Sequence, residues 1–349
     1  LLFGMHPNAE ISLLNALADG LFFSILQVGG GGGGGGGQSK EEKVGELLES
    51  ILEQLREEFN MIEIRLRIKE KGSPYVVFVL QELERMNKII SAIRAQLTEL
   101  GLGLSGALNI SDSMDALITN LFMNQAPPNW LKTCGQIGPT GSYNRKSLSN
   151  WFEDLKLRWA QLEDWQSPTK PLEALPPSVW ISGCFNPMGF VTASMQVTAR
   201  INQYSLDQMR VHVEVTDVMD TAAVESQPES GVHLHGLFME NARWDGALPC
   251  MPDELEEAEG IKEVGPGSIA DSKPKELYPY MPMIHLTART ADKAFDSLDV
   301  MRKNKGRYIC PFYTTTVRGP TFVFAGPIRT SVSAEKWILS GAALVMQPD

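Results

Sequence analysis

Histidine is the first residue type to weigh for chemistry, because a neutral imidazole ligates metal and its proton moves near neutral pH. His233 and His235 stand two apart in a stretch with strand-like alternation, so both rings belong to one face, while His212 and His285 fall on other expected strands. Such a pair supplies two metal ligands, and no third stands at a fixed spacing from it. The plainer reading is a polar sheet face whose imidazoles hydrogen-bond within it. A free-standing enzyme with its site near His233, His235 and His285 is the alternative these residues would serve.

Glycine occupies every position from Gly29 to Gly37, which raises the question of a phosphate loop. Backbone N–H groups at a helix start do cradle phosphate, but the motif needs Gly-Lys followed by Ser or Thr. Here Gly37 is followed by Gln38-Ser39-Lys40, and no apolar strand closes in Asp-Glu to hold magnesium. Ser182-Gly183-Cys184 and Ser194 do not form a nucleophile elbow. The acidic residues spread over helix faces expected to be exposed, and the tryptophans read as packing anchors rather than a stacking platform for bases. No catalytic, cofactor-binding or metal-binding residue is assigned.

The chain has 349 residues, 43% of them hydrophobic and 21% charged, enough for one or two cores. A formal net charge of -11 argues against a surface built to neutralise nucleic acid, anionic lipid or an acidic polymer such as a microtubule. The run from Leu21 to Val28 is too short for a membrane span. The chain opens on Leu1 without the features of a secretory signal and reads as a fragment. Cys134, Cys184, Cys250 and Cys310 are dispersed, as buried thiols of a reducing cytoplasm would be.

The elements that must position these residues follow from periodicity. A first apolar segment, with a helix from about Asn8 to Phe22, meets the glycine run, a flexible tether of roughly 16 Å. Val44 to Leu55 has helical spacing. Gly72-Ser73-Pro74 opens a long helix with Val76, Val79, Leu80, Leu83, Ile90, Ile93 and Leu97 on its apolar stripe. Glu82, Glu84, Arg85, Lys88 and Arg94 face elsewhere, and Gly101 and Gly103 end it. A shorter helix from Ser111-Asp112 buries Met114, Leu117, Ile118, Leu121 and Phe122 and stops at Pro127-Pro128.

Beyond Pro128 the character changes. Leu148, Trp151, Phe152, Leu155, Trp159 and Leu162 make an aromatic helical face, and another helix runs from Phe190 to about Asn202. Period-two strands are expected at Val211 to Val215, Val232 to Phe238, Met283 to Ala288, Tyr308 to Tyr313, Thr321 to Ala325 and Trp337 to Met346. The fold class is therefore α+β: an N-terminal helical bundle over residues 1–127, then helices with a mostly antiparallel sheet or small β-barrel over 128–349. The acidic, breaker-rich stretch 253–274 reads as a solvated insertion, with a docking patch as the sharper alternative.

Several motifs bear a resemblance. Leu2-Phe3-Gly4-Met5-His6-Pro7-Asn8-Ala9-Glu10-Ile11 resembles the FGLHPNAEI segment of dynein heavy chains. Trp180-Ile181-Ser182-Gly183-Cys184-Phe185-Asn186-Pro187-Met188-Gly189-Phe190 is similar to that family's W-x-x-G-F-F-N-P-x-G-F. Ala242-Arg243-Trp244-Asp245, Tyr308-Ile309-Cys310-Pro311-Phe312-Tyr313 and Glu335-Lys336-Trp337-Ile338-Leu339-Ser340-Gly341 follow in family order, in forms that look axonemal and outer-arm-like. Ser340 stands where the family has arginine.

The resemblance implies the small helical (lid) subdomain of a sixth AAA+ module followed by a carboxyl-terminal domain lying across a motor ring. It implies a non-catalytic structural and regulatory piece that stabilises the ring of a microtubule motor powering ciliary and flagellar beating. ATP and magnesium then belong to other modules, and this piece carries no cofactor. Implied partners are the other AAA+ modules, the dynein complex and axonemal proteins, with microtubules reached only through the parent motor, and neither nucleic acid nor membrane. The implied place is the cytoplasm, cytoskeleton and axoneme. The alternative is a scaffold segment recruiting axonemal accessory proteins through the acidic insertion. Structural roles fall to Asn186, Pro187, Gly189 and Phe190 at a turn into a helix, to Trp244 and Trp337 as anchors, to Gly341 for close backbone approach, and to Asp245, Cys310 and Pro311 as motif positions.

Overall fold

The computed structural model describes residues 39–68, 72–135, 147–244, 249–250, 280–290, 306–316, 318–319, 321–331 and 333–347. The expected first helix, the glycine tether, the insertion 253–274 and Asp245 lie outside the described residues. Two compact units emerge, the first from residues up to Gln54 together with Gln96–Pro127, the second from Leu55–Ala95 together with Pro128–Asp349.

In the first unit, helix α1 (Lys40–Gln54) buries Val44, Leu48 and Ile51. Ser111 caps the helix Asp112–Phe122, its hydroxyl accepting from the Met114 amide, and Met114, Leu117, Ile118 and Leu121 are buried. Phe122 departs from expectation. It is 43% exposed, with the ammonium groups of Lys40 and Lys43 each 6.0 Å from its ring centre. Gly101 and Gly103 do not end the long helix, which runs as Pro74–Leu104. Their lack of a side chain leaves room for Leu48 and Met114, and the chain turns at Gly106, whose φ is +77°.

In chain order the helices are α1, α2 (Met61–Arg67), α3 (Pro74–Leu104), α4 (Asp112–Phe122), α5 (Pro128–Cys134), α6 (Leu148–Trp165), α7 (Pro187–Asn202) and α8 (Ala334–Ser340). The second unit carries two four-stranded sheets. One has the order β1 (Val179–Trp180), β3 (Val232–His235), β7 (Ile284–Thr290), β2 (Met209–Val215). The other runs β4 (Phe238–Glu240), β10 (Ala343–Gln347), β8 (Arg307–Thr315), β9 (Phe322–Arg329), and a short ribbon pairs β5 (Arg243–Trp244) with β6 (Pro249–Cys250). The β1–β3 and β10–β8 pairs are parallel and the other described pairs antiparallel.

The α+β class holds, but the described strands close no barrel. β2 meets β9 through side-chain packing instead of a ladder: a Cβ at Gly326 would stand 2.6 Å from Val213 Cγ2, so only glycine permits the approach. The strand expected from Trp337 is also corrected. Ala334–Ser340 is a helix ended by Gly341 in the left-handed region at φ +67°, and the strand starts at Ala343. Local helix propensity and the glycine stop outweighed the apolar run.

The core of this unit is aromatic. Phe190, fully buried, packs against Tyr75, Phe78 and Trp165 with ring centres 5.4 to 6.1 Å apart. Phe312 and Phe324 stack at 4.1 Å between β8 and β9.

Candidate functional site

The segment Trp180–Phe190 is held by two buried charges of opposite sign. Glu82 on α3 is 2% exposed, and its two carboxylate oxygens accept from the Phe185 amide at 2.6 Å and the Asn186 amide at 3.0 Å. Arg158 on α6 is 3% exposed and donates through Nη1 to the carbonyls of Gly183 at 2.9 Å and Cys184 at 3.4 Å. Its guanidinium also lies 5.6 Å from the Trp180 ring centre and 5.4 Å from that of Phe185. Acid takes the amides and base takes the carbonyls, so the backbone of this turn is gripped at four successive residues.

Asn186 then caps α7, its side-chain oxygen accepting from the Gly189 amide at 3.0 Å, with Pro187 in the first turn where a missing N–H does no harm. A Cβ at Gly189 would stand 2.7 Å from Asn186 Nδ2, so any side chain there displaces the cap. Burial pushes the Glu82 carboxyl above its ordinary range, while the two amides, Arg85 and Arg158 pull it back.

Sequence reasoning placed Glu82 on an exposed face, and the structure corrects this. The signal was present in the spacing: Glu82 is three residues after Val79 and four before Met86, both fully buried. Arg158 likewise sits three after Leu155 and four before Leu162, both buried. A charge on the apolar stripe is the mark of a buried polar device.

A second grip holds the motif near the end of the chain. Trp337 is 1% exposed, donates from Nε1 to Thr330 Oγ1 at 2.8 Å and stacks on Tyr308 at 5.3 Å, and the Tyr308 hydroxyl donates to the Ala342 carbonyl at 2.8 Å. The Gly341 carbonyl accepts from Arg318 and, at 3.3 Å, from Asn241 Nδ2. Arg318 in turn pairs with buried Glu240 at 2.6 Å. Ser340, where arginine was expected, donates back to the Trp337 carbonyl at 3.1 Å.

Of the remaining motif positions, Cys310 and Pro311 lie on β8 and Trp244 on β5. Cys310 is 1% exposed with its thiol pushed up by burial, and Pro311 lies opposite Ala325 just before a register shift at Phe312/Tyr313. Trp244 pairs with Pro249 in the β5–β6 ribbon. Neither Arg318 nor Glu240 was singled out from sequence, because the partners lie far apart along the polypeptide.

The histidines do not converge. His233 and His285 face each other across β3 and β7 with ring centres 5.3 Å apart, but His285 Nε2 bonds the Ser230 carbonyl at 2.6 Å. His212 pairs with Glu214 at 3.2 Å on β2. His235 lines a separate cleft, and burial holds its pKa at about 4. Among the described residues no group of three His, Cys, Asp or Glu is placed to hold a metal ion.

That cleft has a volume of about 650 Å³ and lies between α6 and the Trp180 turn, with Leu157, Arg158, Gln161, Phe238 and Tyr280 among its walls. Gln161 answers both backbone groups of Trp180, accepting from its amide at 2.8 Å and donating to its carbonyl at 3.3 Å.

The sequence pattern of the family described as the C-terminal domain of the dynein heavy chain matches residues 15–346. The chain belongs to that family. It is 40% identical to the ciliary dynein beta chain of Tripneustes gratilla, 38% to axonemal dynein heavy chain 17 of Homo sapiens and 39% to the flagellar outer-arm dynein alpha chain of Chlamydomonas reinhardtii. Each match covers 99% of this chain and 7% of the relative, so the chain spans about 7% of the length of these heavy chains. In this dynein C-terminal domain the Trp180–Phe190 and Trp337–Gly341 segments are both held by charged side chains, the first by buried Glu82 and Arg158, the second by half-buried Arg318 paired with buried Glu240.

Proposed function

We propose that this chain is a non-catalytic structural and regulatory part of an axonemal dynein heavy chain, a stiff plate that stabilises the AAA+ ring of a motor driving ciliary or flagellar beating. The observation that supports it is the Glu82–Arg158 grip: the most distinctive motif of the chain holds its own backbone, not a reactive group. Buried, fully engaged polar networks fix one arrangement of a core. A domain lying on several modules transmits a change only if it is stiff and its contacts differ between ring states.

On this reading residues 128–349 are the carboxyl-terminal domain and residues 1–127 the helical part of the sixth module. ATP and magnesium act in other modules, microtubules are reached only through the remainder of the motor, and the working place is the axoneme. Ile338 and Leu339, 66% and 85% exposed beside buried Trp337, are suited to contact the rest of the heavy chain.

The test has two arms. The purified chain should show no ATP turnover, and robust turnover would overturn the reading. In the intact motor, Glu82→Gln should change gliding velocity or microtubule-stimulated ATPase; unchanged values in both assays would remove the regulatory role.

A further inference from the structure

On β2 the side chains of Arg210, His212 and Glu214 share one face, opposite buried Met209 and Val213. Across the ladder Arg210 stands directly opposite Arg289 of β7, and between β8 and β9 Arg307 stands directly opposite Arg329. Both are like-charge pairs. Like charges facing each other on neighbouring strands are unfavourable, so their occurrence twice in one unit calls for a physical reason.

The two pairs belong to one surface. Gly326 of β9 packs on Val213 of β2, which brings the strand carrying Arg329 beside the one carrying Glu214. The His212 pKa is held down by burial first and then by Arg289 and Arg307, and that of Glu214 by its bond to His212 first and, further down, by Arg289 and Arg329. Charges from both pairs thus reach the same two side chains. Glu214 Oε1 lies 3.2 Å from His212 Nε2 and 4.0 Å from Arg289 Nη2, and Asp207, whose carbonyl accepts from Arg210 at 2.8 Å, adds a second carboxylate nearby. Four guanidiniums against these two acids leave the face positive on a chain of net charge -11. A whole-chain total averages over the surface and hides such a reversal.

The chemistry of the patch narrows the partner. All four cations are arginines, whose planar fork pairs with a carboxylate through two parallel bonds and is enriched at protein interfaces. They stand on four different strands, which suits several single charges along a segment better than one compact dianion such as phosphate. A nucleic acid or an anionic lipid surface would extend past the patch and meet the negative remainder of the chain. A short acidic segment stays within it.

We infer that the face carrying Arg210, Arg289, Arg307 and Arg329 docks a short Asp- or Glu-rich segment of a partner protein, whose carboxylates offset the repulsion within each arginine pair. The assignment goes beyond the role proposed above and does not depend on it.

The experiment titrates a fluorescein-labelled decaglutamate peptide with the purified 349-residue chain and follows fluorescence anisotropy. Binding should be present at about 20 mM salt and weaken by about tenfold at about 150 mM, where exposed charges are screened. The double variant Arg289→Gln, Arg329→Gln should weaken it by about tenfold or more at low salt, while Arg65→Gln with Arg67→Gln, an equal loss of charge on α2, should change it less than about twofold. The melting temperature of the first double variant should hold or rise, because it relieves one like-charge contact in each pair and the exposed Arg289–Glu214 pair contributes little. A merely structural role for these arginines would lower it.

Decaglutamine binding as well as decaglutamate would overturn the chemistry, and unaltered binding by the Arg289→Gln, Arg329→Gln variant would overturn the site. A preference for inorganic phosphate, or for vesicles of equal phosphatidylserine and phosphatidylcholine, would overturn the class of partner. Binding that appears only after the acids of residues 253–263 are changed to Asn and Gln would make the chain's own acidic stretch the occupant and overturn an external one. No binding by either form at low salt would overturn the docking surface altogether.

Discussion

The Glu82 carboxylate accepts the Asn186 amide at 3.0 Å, joining residues 104 positions apart. Its other oxygen takes the neighbouring Phe185 amide, so one acidic side chain on α3 answers two donors that stand just before α7 begins. Glu82→Ala should destabilise the protein by about 3 to 5 kcal/mol, since it strands two amides and the facing Arg158. Glu82→Gln should lose roughly half as much, its amide nitrogen facing a donor. Urea unfolding followed by tryptophan fluorescence checks both, and a loss under about 1 kcal/mol for the alanine variant would refute the grip.

Trp337→Ala should cost about 3 to 5 kcal/mol because the ring is buried and stacked on Tyr308. Trp337→Phe keeps most of the volume but loses the bond to Thr330, for about 1 to 2 kcal/mol. Denaturant midpoints of the two variants should fall in that order; an unchanged alanine variant would contradict the burial.

Gly189→Ala should weaken the start of α7 by about 1 to 2 kcal/mol, because the added methyl displaces the Asn186 cap. Asn186→Ala should cost a similar amount. The double variant should cost little more than either single change, since both remove one cap. Full additivity in a double-mutant cycle would show that the two residues act separately.

Acid should loosen the sheet unit before carboxylates titrate widely. Burial holds His235 at about 4, and His233 is lowered first by burial and then by His285. The folded state thus binds fewer protons than the unfolded polypeptide, whose histidines titrate near 6.5. This contribution to stability is complete above about pH 6.5 and is lost as pH falls toward 4. His212, also lowered by burial, adds with the same sign. Glu82, raised by burial, has the opposite sign and offsets part of the loss. Unfolding free energies at about pH 7 and about pH 5 should differ in favour of pH 7, and His235→Gln should shrink the difference; a flat profile would sink the assignment.

Periodicity recovered α3, α6 and α7 of the second unit and the longer strands β2, β7, β8 and β9, because one-sided burial writes itself into spacing at 3.6 or 2, whereas the short α2, α5, β1, β5 and β6 were missed and β3 and β4 were read as one strand. Leu148 to Leu162 and Val211 to Val215 are clear cases, although on α6 Arg158 is buried where the stripe put Trp159, which is only half-buried. Trp337 to Ser340 misled because a short apolar run looks alike in a helix and a strand, and the stop at Gly341 decides between them. The motif around Asn186 was legible as a turn and cap. Its partners were not, because Glu82 and Arg158 were sorted by charge and not by position on the stripe, and pairing across a hundred residues leaves no mark in a local window.

Gln161 has a consequence for how this domain behaves in company. A strand at the border of a sheet ordinarily offers bare backbone donors and acceptors to any neighbouring polypeptide. At Trp180 a side-chain amide already fills both, as a borrowed rung of ladder, so that border gives stray strands nothing to zip onto. Crowded next to its own kind, the molecule is guarded there against growing into a shared sheet.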